Sequence, residues 1–293
     1  MPRVEMLDLL RELGHLKRIR SAGRQGSVAE RAFAAAWAAL VAGHPLDETW
    51  RAATADALAA TRLGDLDRSA LAGVGVGDDA VEAILARALD EAAAGLDPLL
   101  RAGLRTAAKT GDVAPGFVAS LAAQPRAGVT CPGRPRIMLE PPENHAEHCF
   151  VTAVYGVILS PLFHARPDTV FLAALAHHLH NASIPDSGFA GEVLLDGELE
   201  PAFARATESA LAELPAALAQ AVREARAILP DAGTAEGRAF HAADTLDRVL
   251  QVEHHLRAGS TTMHFVLHDM ELVHAGPVRP FQDRLLASLG LSR

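Results

Sequence analysis

Six stretches of this chain carry apolar residues at helical spacing, with Gly or Pro punctuating the segments between them. They read "AERAFAAAWAALVAG", "DDAVEAILARALDEAAAGL", "AEHCFVTAVYGVIL", "DTVFLAALAHHLHNA", "ARATESALAELPAALAQAVREARAIL" and "HAADTLDRVLQVEHHLRAG". Alanine and leucine dominate them, and aromatic residues make up 4% of the chain, a balance that favours helix over sheet. The pattern predicts an all-α fold. At 293 residues the chain can form its core without disulfide or metal staples.

The densest punctuation runs from "KTGDVAPGF" through "QPRAGVTCPGRPRIMLEPPEN", where prolines repeatedly forbid helix continuation. A Pro/Gly-rich linker is expected at 111–143, between a helical half at 1–110 and a second at 144–293. The two sides look related. "SVAERAFAAA" (27–36) aligns with "NHAEHCFVTA" (144–153) at four of ten positions, and "ADALAATRLGD" (55–65) lines up with "AHHLHNASIPD" (176–186). An internal duplication is the expectation.

Histidine is distributed very unequally. His15 and His44 are the only two of fourteen that precede residue 145, so any site is expected in the second half. There His145 and His148 stand three apart on one helix face, His177 and His178 are adjacent, and His241, Asp244 and Asp247 follow at intervals of three. Three helices thus offer imidazole and carboxylate ligands. With no thiolate among them, the set suits one divalent transition ion (Fe, Mn, Co, Ni or Zn) rather than a closed structural zinc site.

These motifs resemble the HD-domain superfamily of helical metal-dependent phosphohydrolases, in its branch similar to bacterial 5′-deoxynucleotidases. "HAEHCF" matches that family's SVAEHS-like helix start, "HHLHNASIPD" its HDxxEAxxGD motif, and "AADTLDRVL" its later Asp. The resemblance implies an HD-like helical bundle in two tandem halves, with metal ligands at His148, His177, His178 and Asp244. His178 stands where the family has Asp, and a neutral imidazole can still bind an ion. Asn181 stands where the family has a Glu near the substrate, which removes a proton carrier while keeping a substrate-facing position. His180 and Asp186 are then the expected catalytic groups. Arg134 and Arg136 precede the first metal helix as a phosphate-binding basic loop does in the family. In the first half Arg31 stands at the ligand position, so that copy is expected to be degenerate and empty. Its own basic loop, Lys17, Arg18 and Arg20, is expected to be solvated.

The function expected is hydrolysis of a small phosphomonoester such as a nucleotide. Two alternatives stay open: an iron-dependent HD-type oxygenase acting on a small organic substrate, and a non-catalytic HD-like scaffold. A net charge of −9 argues against nucleic-acid binding. "MPRVEMLDLLRELGHLKRIR" mixes acidic and basic residues unlike a signal peptide, and no apolar run approaches the roughly 18 residues of a membrane span. Two cysteines outside any CxxC spacing fit a reducing cytoplasm. Partners are expected to be a small phosphate or another small substrate, with no membrane, and a homodimer is left open.

Overall fold

The computed structural model describes residues 4–105, 113–257 and 262–291. Among them are fourteen α-helices and no β-strand, as the apolar spacing predicts. The first half holds α1 (Val4–Gly14), α2 (Val28–Val41), α3 (Leu46–Leu63), α4 (Arg68–Gly73), α5 (Asp78–Ala92) and α6 (Pro98–Gly103). Then come α7 (Gly116–Ala123), α8 (His145–Phe163), α9 (Pro167–Ala176) and α10 (Gly188–Leu195). The chain closes with α11 (Leu199–Leu211), α12 (Ala216–Arg226), α13 (Ala235–Leu256) and α14 (Arg279–Ser288).

Helix α8 is the centre of the molecule, packed by α2, α9 and α13. It starts on a capping box: Asn144 Oδ1 accepts from Glu147 N at 2.9 Å, and Glu147 Oε2 accepts from Asn144 N at 2.9 Å. Every residue from His145 to Ser160 is buried. By length and mean hydropathy α8 would pass for a membrane span, which corrects the expectation that no segment comes near one. Its apolar surface is covered by the protein's own helices, with 83% of its 18-residue apolar stretch buried. Gly156 lets α9 approach, because a Cβ there would lie 2.5 Å from Val170 Cγ1.

One hydrophobic core runs through both halves. Phe33, Trp37 and Leu58 from the first half join Phe150, Phe171 and Leu246 from the second. The stretch expected to act as a linker is partly folded into this core. Its apolar "GFVASLAA" forms α7, which buries Phe117, Val118 and Leu121, and Phe117 meets Trp37 edge-to-face at 5.0 Å. The prolines punctuate the chain on either side of α7 without keeping it out of the core. The expected boundary at 110/111 lies outside the described residues. Further along, residues 125–144 fold back on themselves through paired Val129 and Ile137 backbones and form one wall of a cavity.

Candidate metal centre

The start of α8, the end of α9 and the middle of α13 meet at His148, His177 and Asp244. His148 is fully buried, and its Nε2 lies 3.0 Å from His177 Nε2 and 3.2 Å from Asp244 Oδ1. His177 Nε2 is 3.9 Å from the same carboxylate oxygen. His178 completes the cluster: its ring centroid is 4.2 Å from that of His177, and ligand atoms of His148, His177 and His178 all fall within 4.8 Å of one another.

What the other ring nitrogens do decides what this cluster can hold. His177 Nδ1 sits 2.6 Å from the Ala174 carbonyl, which can only accept, so Nδ1 carries the proton. His178 Nδ1 lies 2.8 Å from Asn181 Oδ1, and Asn181 Nδ2 donates to Ile184 O at 3.1 Å, so here too Nδ1 is the donor. His148 Nδ1 donates to Asp247 Oδ2 at 2.6 Å. Burial, followed by the neighbouring histidines, holds His177 and His178 well below the usual histidine range, so both rings are neutral with Nε2 as a lone pair.

The Nε2 atoms of His148 and His177 therefore face each other and the Asp244 carboxylate, with Nδ1 of each ring bonded elsewhere. Adjacent ligands on an ion with bonds of about 2.1 Å stand about 3 Å apart, and the 3.0 and 3.2 Å separations fit that arrangement. Burial acts to raise the Asp244 pKa, but the His148 hydrogen bond and the Arg248 charge outweigh it and keep the carboxylate ionised. Cys149, raised to about 12 by burial, stays a thiol and supplies no thiolate. The donor set, imidazole and carboxylate, could hold a metal ion.

The ligand cluster opens on a cavity of about 350 Å³, walled by Phe189, Glu192, Leu229, Phe240 and Leu272 among others. Asn181 lines it, although its side chain is committed to His178 and to Ile184. Asp186 lines it as well, and accepts from Ala127 N at 2.9 Å and Gly188 N at 2.8 Å, fixing the 125–144 wall to the turn before α10. His180 is not among the lining residues. It stacks on Phe203 at 4.0 Å, and burial, then Arg226, lowers its pKa to about 4. Arg134 and Arg136 are both exposed and neither lines the cavity, and Arg136 donates to Ser187 O.

Two other arginines stand where those were expected. Arg126 and Arg248 line the cavity, and Arg126 Nη1 is buried without a hydrogen-bond partner. Burial works to lower the Arg126 pKa, and Glu143, Asp186, Asp244 and Asp247 more than reverse it. His145 is a further orphan, with both ring nitrogens unpartnered and Nε2 3.5 Å from Asp186 Oδ2. Sequence reasoning had a signal for Arg248, four residues after Asp244 on α13, and for Arg126, in the same basic loop as Arg134. It had none for Lys17, which is buried against Glu143 and Asp247 instead of solvated.

No curated protein and no solved structure matches this chain. The family profile described as HD domain matches residues 118–279, more than half of the chain and a span that holds the whole ligand cluster. The chain belongs to the HD-domain family.

Proposed function

We propose that this protein is a hydrolase of a small phosphomonoester, such as a nucleotide, that works with one divalent transition ion held by His148, His177, His178 and Asp244. The observation that carries the reading is the convergence of three histidines and a carboxylate at the floor of a cavity that also presents the unpartnered Nη1 of Arg126. When bound, the ion supplies a Lewis acid that lowers the pKa of a coordinated water toward neutrality.

The chain supplies the rest. Arg126 Nη1 takes a phosphate oxygen, and Arg248 adds a second positive charge on the α13 side. Glu192, on α10, replaces the Glu absent at position 181. Burial and then Asp186 raise its pKa, so it holds a proton for the leaving oxygen further up the pH scale than an ordinary carboxyl. Phe189, Phe240 and Leu272 give the non-phosphate part of the substrate an apolar surface and exclude water. We further read α2–α3 as a degenerate copy of α8–α9 that binds no ion, and the protein as cytoplasmic.

Metal analysis of protein purified under anaerobic conditions, followed by phosphate release from a panel of deoxynucleoside monophosphates and p-nitrophenyl phosphate, tests the reading. Expected are about one transition ion per chain and activity that Arg126→Met lowers through KM by about 10- to 100-fold, a charged hydrogen bond being worth about 1.5–3 kcal/mol. Arg134→Ala is expected to leave KM unchanged. Iron with oxygen consumption and no phosphate release would replace the hydrolase with an oxygenase, and no retainable metal would leave a scaffold.

A further inference from the structure

The candidate centre is not built by the second half alone. Lys17, in the turn after α1 (His15–Lys17), is 4% exposed and reaches across the molecule. Its Nζ donates to Glu143 Oε2 at 2.6 Å and to both oxygens of Asp247, at 2.6 and 2.7 Å. Asp247 Oδ2 is the atom that accepts from His148 Nδ1. The turn is fastened on both sides to α13: Arg11 binds Glu253 at 2.8 and 2.9 Å, and Arg18 donates to Gln251 at 2.7 Å.

We infer that Lys17 is a positioning residue for the metal centre: by holding both oxygens of Asp247, it fixes the carboxylate that keeps the proton of His148 on Nδ1 and its lone pair on the candidate ion. The inference rests on the metal reading above. A histidine ligand gains basicity and a single orientation from the acceptor on its other nitrogen, and that acceptor must itself be held. Here the holder is an ammonium whose three protons meet three carboxylate oxygens. Charge makes the device necessary. Glu143 and Asp247 are both buried, and ligand atoms of Glu143, His148 and Asp247 all lie within 4.8 Å of one another. Two carboxylates this close need a cation between them. The ammonium provides it as part of the chain, filling the place that a second ion could otherwise take and leaving the Nε2 side of His148 as the open one. Arg126 Nε, 3.6 Å from Glu143 Oε1, faces the same cluster from the cavity wall.

The test compares wild type, Lys17→Met, Lys17→Arg and the charge-balanced pair Lys17→Met/Glu143→Gln, all as full chains. Two quantities are read: the His148 tautomer of the metal-free protein, by long-range ¹⁵N NMR, and Co²⁺ affinity with its absorption spectrum. Wild type is expected to show the Nδ1–H form and to bind one Co²⁺. Lys17→Met is expected to lose about 10- to 100-fold in affinity, to mix the tautomers and to change the cobalt spectrum, with partial rescue by Lys17→Arg. If Lys17→Met does not fold, the charge-balanced pair is expected to show the same losses. A folded variant lacking Lys17 with the wild-type tautomer, spectrum and Co²⁺ affinity overturns the inference and leaves the metal reading standing. Wild-type protein that binds no Co²⁺ overturns both.

Discussion

Positions 31 and 148 occupy aligned places at the starts of α2 and α8, and the two surroundings differ in how they end. Both helices begin with a side-chain cap, Ser27 accepting from Glu30 N at 3.1 Å and Asn144 from Glu147 N at 2.9 Å. The caps even meet, since Asn144 Nδ2 donates to Glu30 Oε2 at 2.9 Å. Beyond them Arg31 closes on Asp65 and on the Gly26 carbonyl, so its charge is answered within the chain. His148 instead sends one nitrogen to Asp247 and turns the other toward two further electron-pair donors, His177 and Asp244. A closed ion pair needs nothing more. Imidazoles and a carboxylate turned on one point offer donors that a cation can take up, and that difference separates a packing element from a candidate site.

The strongest way to break this contrast is to exchange the two positions for alanine. His148→Ala is expected to abolish metal retention, read by elemental analysis, and to lower unfolding free energy by about 3 kcal/mol by removing one partner of a buried charged cluster. Arg31→Ala is expected to keep full metal content and cost about 1 kcal/mol or less, since its pair is partly exposed. Equal metal loss in both would end the distinction.

A second expectation sharpens the contrast through acid, because histidine is concentrated in the second half. Burial is the main reason that His180 and His274 titrate at about 4, against about 6.5 in an unfolded chain. The unfolded chain therefore takes up protons first as pH falls. Stability is full above about 6.5, declines as pH drops below it, and levels off once the folded state protonates near 4. Urea unfolding of metal-free protein at pH 7.5, 6 and 4.5 is expected to show a loss on the order of 2 kcal/mol attributable to His180. His180→Phe, which keeps a ring against Phe203, is expected to flatten the profile by that amount. A profile unchanged by the substitution would locate the acid sensitivity elsewhere.

The smallest effect separates the two caps. Ser27→Ala and Asn144→Ala are each expected to lower stability by about 1 kcal/mol in thermal or urea unfolding. Only Asn144→Ala, four residues before His148, is expected to weaken Co²⁺ binding as well. A weakening by Ser27→Ala of the same size would mean that the first half reaches the metal through its cap.

The convergence of His148, His177, His178 and Asp244 was legible because each signal is local. His145 and His148, the adjacent His177 and His178, and the run His241, Asp244, Asp247 all lie within a turn or two of helix, where spacing fixes direction. The all-α fold was legible for the same reason. The residues that orient and charge the cluster were not, because their partners are remote in sequence: Lys17 and Asp247 are 230 positions apart, and Lys17 and Glu143 126. Of the loop's arginines, Arg126 and not Arg134 or Arg136 lines the cavity, and a loop carries no period to say which of its charges turns inward. Prolines around α7 were read as a break in the fold, and Phe117, Val118 and Leu121 between them proved enough to reach the core.

The bond between Lys17 and Asp247 also orders events in time. At roughly 5–20 residues per second, synthesis delivers Asp247 roughly 10–50 s after Lys17. Through that interval the ammonium can remain hydrated at little cost, whereas the helices around it can already begin to gather. Glu143 gives the lysine a first partner, and when α13 emerges Asp247 adds two more oxygens in the movement that brings Asp244 to His148 and His177. The convergence of the three donor helices is therefore a late product of the nascent chain, and a chain stalled before α13 would carry His148, His177 and His178 without Asp244.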